Sequence, residues 1–305
     1  MRPSDSDLAH CHALLAKGSR SFSFAGRLLP SRMRDPVAAL YAFCRVSDDL
    51  VDESDAPLEA CRVLTERLDD VYRGKPANDP VDRALVWLAE EHALPRAPLD
   101  ALLEGYAWDA ASRRFETLSG TFAYASRVAA SVGVAMTWLM GVHDHDVLAR
   151  AADLGVAMQL TNIARDVGDD ARLGRIYLPL DWLKALDVDA WIANPHPNQA
   201  IRHATARLLD EADVLYARAD AGIPSLPSDV RAAIRAASKI YREIGTVITE
   251  RGFDSVSARA VTSTRTKTRL AFASFGDEVR ARIRNQEVAL HAEPLPEVVH
   301  LLPSR

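Results

Sequence analysis

The 305-residue sequence predicts an all-α protein, and three observations carry that expectation. Almost every long segment is rich in Ala, Leu, Arg and Glu and repeats its apolar residues every three or four positions, the period of one helix face. Strand-like alternation of apolar and polar residues is scarce. Proline and glycine fall between the periodic segments, where helices start and stop.

Taken in order, helices are expected over 36–51, 57–73, 80–92, 98–115, 121–141, 146–170, 198–220, 227–251 and 265–285. In the second of these, Leu58, Cys61, Leu64, Leu68 and Val71 make one apolar stripe. Pro57 opens it, and Gly74 and Pro76 close it. Pro95 and Pro98 bracket the link into the fourth helix, and Gly222, Pro224 and Pro227 separate two late ones. No linker is long enough to split the chain. The expectation is a single domain over 1–305, with loose termini at about 1–5 and 293–305.

Hydrophobic residues are 48% of the chain and charged ones 26%, enough apolar material for a large core in a soluble protein. The formal net charge of −5 argues against a nucleic-acid partner, which calls for a basic surface. Three cysteines, Cys11, Cys44 and Cys61, have no metal-type spacing and fit a reducing, cytoplasmic setting. The opening Met1-Arg-Pro-Ser-Asp5 is unlike a signal peptide, and no run of about 18 apolar residues would span a bilayer. Membrane contact, if made, is peripheral.

Two aspartate clusters share one spacing. Asp48 and Asp52 stand four apart inside one expected helix, and Asp166 and Asp170 four apart inside another. Side chains four apart on a helix share a face, so each cluster aims two carboxylates one way. Gathering unpaired carboxylates in an apolar setting is costly, and a divalent cation removes that cost. Mg²⁺ takes one or two carboxylates and completes its octahedron with waters and phosphate oxygens. Arg45, three residues before Asp48, shares its face and could grip a diphosphate; the same residues could equally form an intrahelical pair on a solvated helix end. The second cluster is more specific, because Asn162, Asp166 and Asp170 form one row. An amide in that row adds an oxygen ligand without adding charge. Gly168 and Gly174 are expected to loosen the backbone ahead of Arg172, Arg175 and Tyr177, which offer cations and a phenol to a phosphate.

Other motifs carry less. His143-Asp-His-Asp146 reads as a polar turn between helices, since positions i and i+2 do not face one another on a helix. Arg265-Thr-Lys-Thr-Arg269 reads as a solvated helix face or a contact with anionic lipid. Trp87, Trp108, Trp138, Trp182 and Trp191 follow no stripe and belong to core or rim.

At this point the residues resemble a known family, the head-to-head prenyl synthases, which comprises squalene and phytoene synthases. The resemblance covers Ser19–Pro30, Tyr41–Asp52, Tyr124–Gly133, the signature Gln159–Asp170 followed by Gly174–Pro179, and then Gly222–Pro227, Tyr241 and Arg251-Gly252. It departs from the family's usual pattern at Asp169, where a glutamate is common, and at Tyr124-Ala-Ser, where Tyr-Cys-Tyr or Tyr-Cys-His is common.

The resemblance implies the all-α isoprenoid synthase bundle, with a central cavity between the two Asp-rich helices. It implies that Asp48, Asp52, Asn162, Asp166 and Asp170 hold Mg²⁺, with Mn²⁺ a substitute. Ser19, Ser21, Arg45, Arg165 and Arg175 become the diphosphate contacts, and Tyr124 and Tyr241 the aromatic residues beside the reacting carbons. The activity implied is prenyl transfer. Two geranylgeranyl diphosphates join to phytoene through a cyclopropylcarbinyl diphosphate, without NADPH, as in phytoene synthase-like members. Gly26 and Ala38, small and near the expected cavity, leave room for the longer tail. A squalene, hydroxysqualene or diapophytoene-type synthase using farnesyl diphosphate is the alternative within the family. A catalytically silent assembly factor is the alternative outside enzymes. A terpene cyclase or head-to-tail elongase would share the acidic helices but not the Ser19–Pro30 or Gly222–Pro227 patterns.

Overall fold

The computed structural model describes residues 2–18, 26–284 and 293–304, with the side chains of 281–284 excepted. Among the described residues there is no strand. The chain opens with a helix that the periodicity alone does not give, α1 (Asp5–Lys17). A reciprocal capping box between Ser4 and Asp7 starts it, and Leu8 and Cys11 are its buried apolar contacts. Arg83 then anchors it by a bidentate pair to Asp7, at 2.6 and 3.1 Å.

Next come α2 (Ser31–Asp52), α3 (Pro57–Tyr72), α4 (Pro80–Glu91) and α5 (Ala97–Ala110). Prolines stand in the first turn of α3, α4 and α5, where a missing N–H costs nothing. The α3 stripe is buried at Cys61, Leu64, Leu68 and Val71, but Leu58 is 60% exposed. Position 58 sits at the start of the helix, before it meets its neighbours. α5 stops five residues short of the expected end because the chain turns at Ser112, which takes a positive φ of 49°.

The expected helix over 121–141 is three pieces in line: α6 (Leu118–Ala125), one π-helical turn (Ser126–Ala130) and α7 (Ser131–Leu139). The polar turn at His143–Asp146 follows. Asp144 accepts from the N–H groups of Asp146 and Val147 and so caps α8 (His145–Arg172), a helix of 28 residues. α8 does not loosen at Gly168, contrary to expectation. It runs through that residue and ends only before Gly174, whose φ is 77°. Then come α9 (Val188–Ala193), α10 (Gln199–Gly222), α11 (Arg231–Glu250) and α12 (Thr264–Arg284).

α8 is the axis of the molecule, packed against α10, α11 and the α6–α7 segment. Small residues let the crossing with α6–α7 close. A Cβ on Gly155 would lie 2.5 Å from Ala130 Cα, and one on Gly133 would lie 2.8 Å from the Ala151 carbonyl oxygen. Two apolar clusters result, one around α1–α5 and one around α8 and α10, with Trp138 packed against both. After Glu293, Pro296–Leu301 forms a 3₁₀ turn that buries Val298 and Leu301.

α12 is inverted. Its inward face is polar: Lys267, Ser274 and Glu278 are buried, Glu278 lies 3.5 Å from Arg235, and Asp277 pairs with Lys239. Its outward face carries Phe272, Phe275 and Val279, at 73%, 46% and 59% exposure.

Candidate active site

The two aspartate rows face each other across a basin of about 450 Å³. α2 supplies Asp48 and Asp52 from its last turn, and α8 supplies Asn162, Asp166 and Asp170 at four-residue steps on one face. Asp109 at the end of α5, Tyr124 on α6, Tyr177 and Arg175 after α8, and Arg259 complete the lining.

Charge in the basin is unbalanced and unevenly spread. Five carboxylates (Asp48, Asp52, Asp109, Asp166, Asp170) face three guanidiniums (Arg165, Arg175, Arg259). Arg175 donates to Asp52 at 2.9 Å and so links the two walls. Arg165 and Arg259 clamp Asp166 from two sides, at 2.8 and 2.6 Å by their Nε atoms. Burial pushes Asp166 toward its neutral form, but these two clamps outweigh it and hold its pKa below the ordinary value. Asp48 and Asp170 go the other way. Desolvation, and then the charge of Asp52, lift Asp48 to about 6. Desolvation, and then the charge of Asp166, lift Asp170 to about 7. On each wall one carboxylate is thus left seeking a cation.

Asp109 is satisfied differently. It accepts hydrogen bonds from Tyr177 at 2.6 Å and Tyr124 at 2.9 Å, whose rings stack 4.7 Å apart. Burial nonetheless raises its pKa against those two donors.

The donor set is oxygen throughout, which suits Mg²⁺ and not a soft metal. Asn162 gives a sharper test. Its Nδ2 donates to Gln159 Oε1 at 3.2 Å, which turns the amide so that Oδ1 is the free acceptor, and that buried oxygen has no protein partner. A buried acceptor left over in the same basin as two lifted carboxylates is what a cation would satisfy. Among the described residues no three His, Cys, Asp or Glu side chains group as a ready-made cage. Mg²⁺ does not ask for one, since it shares its sphere with water and phosphate. The residues present fit the ion.

Beyond the basin lies a second cavity, of about 310 Å³ and almost wholly apolar. Gln159 and Asn162 line both spaces, so the basin and the cavity adjoin at the end of the acidic row. From there Met158, Gly155, Leu154 and Ala151 line it along α8, with Met136 and Tyr241 on other walls. Gly26 lines it too, with open space where a Cβ would stand. Ala38 does not serve as expected. It is fully buried in the packing of α2 and is no part of the cavity lining.

Of the residues singled out in the sequence, the structure brings Asp48, Asp52, Asn162, Asp166, Asp170, Arg165 and Arg175 to one basin. Ser19 and Ser21 lie outside the described residues. Arg45 is held by Asp49, its Nε 2.9 Å from Asp49 Oδ2, and only approaches Asp48 to 3.8 Å; it is not part of the lining. The two tyrosines separate, Tyr241 facing the apolar cavity and Tyr124 the acidic basin beside Asp109. Asp109 and Arg259 were not read from the sequence. Asp109 had one usable signal, a carboxylate three residues after Tyr106 on an apolar helix, whereas Arg259 sits in a loop without spacing.

An all-α bundle with an acidic, metal-suited basin adjoining an apolar cavity defines a protein suited to an amphiphile, anion at one end and hydrocarbon at the other. The chain belongs to the squalene/phytoene synthase family, whose profile matches residues 15–268. It is 48% identical to a phytoene synthase of Rhodobacter capsulatus over 98% of this chain and 89% of that protein. To a phytoene synthase of Cereibacter sphaeroides it is 49% identical, over 97% and 87%. Among solved structures it is similar to a dehydrosqualene synthase, with a TM-score of 0.79 at 32% identity over 92% of this chain and 98% of that one. A squalene synthase from Alicyclobacillus acidocaldarius shares the fold, with a TM-score of 0.74 at 24% identity over 81% and 95%.

Proposed function

We infer that this chain is a prenyltransferase of carotenoid biosynthesis that condenses two geranylgeranyl diphosphates head to head to phytoene, by way of a cyclopropylcarbinyl diphosphate. The likeness to phytoene synthases over nearly the whole chain carries the substrate and product. The junction of basin and cavity at Gln159 and Asn162 fits an allylic diphosphate, head in one space and tail in the other.

In this reading Asp48, Asp52, Asn162, Asp166 and Asp170 hold Mg²⁺, with Mn²⁺ able to replace it. The ion supplies Lewis-acid neutralisation of the departing diphosphate. Arg165, Arg175 and Arg259 line the basin where a diphosphate would sit, and Asp166, now paired with Arg165 and Arg259, would be one of the oxygens that hold the ion. The apolar walls keep water from the allylic cation, and the Tyr241 ring offers it a face. Tyr124 and Tyr177, fixed by Asp109, close the far side of the basin. Two diphosphates and two protons leave overall, so the step needs no hydride donor such as NADPH.

No helix among the described residues is long and apolar enough to cross a membrane. The outward face of α12 would meet the membrane from the side instead. Phe272, Phe275 and Val279 would enter the interface while Arg265 and Arg269 face anionic headgroups. Loss of co-sedimentation with anionic vesicles in Phe272→Ser plus Phe275→Ser would support that contact, and undiminished binding would end it.

Purified protein with Mg²⁺ and either the C15 or the C20 diphosphate tests the reaction. A C40 hydrocarbon from the C20 substrate is expected; a C30 product only, or none from C20, would overturn the reading.

A further inference from the structure

Arg259 reaches the basin from a loop, and the structure shows what aims it. The stretch between α11 and α12 forms no helix, yet its Arg259 guanidinium lies 2.6 and 3.1 Å from the two carboxylate oxygens of Asp166. The chain leaves α11 through Gly252 and Phe253, both at positive φ, 64° and 61°. Glycine accepts that region freely. A phenylalanine is strained there and stays only where its surroundings hold it.

Asp254 supplies the hold. Its Oδ1 accepts from the Val256 and Ser257 N–H groups at 3.0 and 2.9 Å, and its Oδ2 from the Ser257 hydroxyl at 2.8 Å and Arg202 Nη2 at 3.1 Å. Arg202, on α10, gives its other arm, Nη1, to the Gly252 carbonyl at 3.1 Å. One guanidinium thus spans the left-handed turn and joins it to α10. From α8, the Gly168 N–H donates to the Ser255 carbonyl at 3.2 Å and Arg172 to the Val256 carbonyl at 2.9 Å. Arg251 donates to the carbonyl of Arg259 itself, at 3.2 Å.

Of this loop Arg259 alone lines the basin; neither Asp254 nor Arg202 does. A long side chain on an unsupported loop spreads over many conformers, and holding it in one place removes that cost from binding. We propose that Asp254 is a positioning residue for diphosphate binding: locked to α10 by Arg202, its carboxylate fixes the 252–259 loop against α8 and so presents the Arg259 guanidinium to the basin. This rests on the reading that the basin takes a diphosphate.

The test measures binding of inorganic diphosphate in Mg²⁺ by calorimetry, with kcat and KM for the C20 diphosphate, in wild type, Asp254→Asn, Arg259→Met and the double variant. Circular dichroism checks folding. Asparagine keeps an oxygen for the Val256 and Ser257 N–H groups and sets an amide N–H₂ against Arg202, so it cuts the link to α10 and leaves the turn. Asp254→Asn should weaken diphosphate binding and lower kcat/KM, each by about tenfold or more. Because Asp254 acts through Arg259, the double variant should lose no more than Arg259→Met does. Wild-type binding in folded Asp254→Asn, or losses that multiply in the double variant, would overturn the proposal. If Asp254→Asn does not fold, Arg202→Met takes its place in the same comparison and decides by the same outcomes. A wild type that binds no diphosphate and makes no C40 product sinks the functional reading, and the proposal with it.

Discussion

Gly168→Ala sets two physical arguments against each other. Gly168 lies inside α8, between Asp166 and Asp170, and alanine is the better helix former by about 0.8–1 kcal/mol. Propensity alone therefore predicts a stabilised protein. The structure predicts the reverse. A Cβ at 168 would lie 2.7 Å from Val256 Cα and 2.9 Å from both the Ser255 and Val256 carbonyl oxygens, all of them backbone. That segment cannot yield cheaply. Asp254 holds it by accepting from the Val256 and Ser257 N–H groups at 3.0 and 2.9 Å, and Arg172 donates to the Val256 carbonyl at 2.9 Å. Overpacking of this kind costs about 1–3 kcal/mol. Retreat of the segment also stretches the Gly168 N–H bond to the Ser255 carbonyl, now 3.2 Å, a contact worth about 1 kcal/mol. The balance is a loss of about 1–3 kcal/mol, or roughly 2–6 °C in melting temperature. Arg259 follows three residues after Val256, so its clamp on Asp166 shifts as well. A displacement near 1 Å at such a site costs about 10²-fold in rate. Melting by circular dichroism and turnover of the C20 diphosphate measure both effects. A variant that melts at or above the wild type with full turnover would refute the close-approach account and leave propensity the winner.

Three further outcomes follow from the site. Asp48→Asn combined with Asp166→Asn should abolish turnover while leaving the far-ultraviolet spectrum of the bundle intact; persistent activity would end the metal assignment. Asp48 and Asp170 have folded pKa values of about 6 and about 7, above the ordinary carboxylate value near 4, so the folded protein binds these protons more tightly than the unfolded chain does. Their contribution to stability is full below about pH 4 and is lost as pH rises through 6 and 7. The metal-free protein should therefore melt higher at pH 6 than at pH 8, and Mg²⁺ should raise the melting temperature more at pH 8; equal Mg²⁺ effects at the two pH values would contradict this. Tyr177→Phe removes the 2.6 Å donor to Asp109 and should cost about 1–3 kcal/mol, read as a lower melting temperature, with an unchanged one telling against the Asp109 pairing.

Much of this was legible in the sequence because helices announce themselves by period. Cys61, Leu64, Leu68 and Val71 meet the core as their spacing requires. The aspartate rows were legible for the same reason, since four-residue spacing places carboxylates on one face before any tertiary contact is known. What the spacing could not carry was placement by another element. Asp109 and Arg259 enter the basin only because α5 and the 254–259 loop arrive there. α1 escaped notice because its capping box and its Arg83 anchor matter more than its apolar face. The π turn at Ser126–Ala130 leaves no mark on a pattern read every three or four residues, and the Arg202–Asp254 pair joins a helix and a loop distant in the chain.

The crossing at Gly133 and Gly155 constrains how this cavity could ever be altered. Both residues line it, and both already carry hydrogen where other residues carry carbon, with neighbouring backbone at 2.5–2.8 Å from any added Cβ. Along that seam no side chain is left to trim and none can be added. A redesign for wider or narrower substrates must therefore leave the two glycines untouched and work from their neighbours in the lining, where Met136, Met158 and Leu154 offer flexible bulk that can be exchanged.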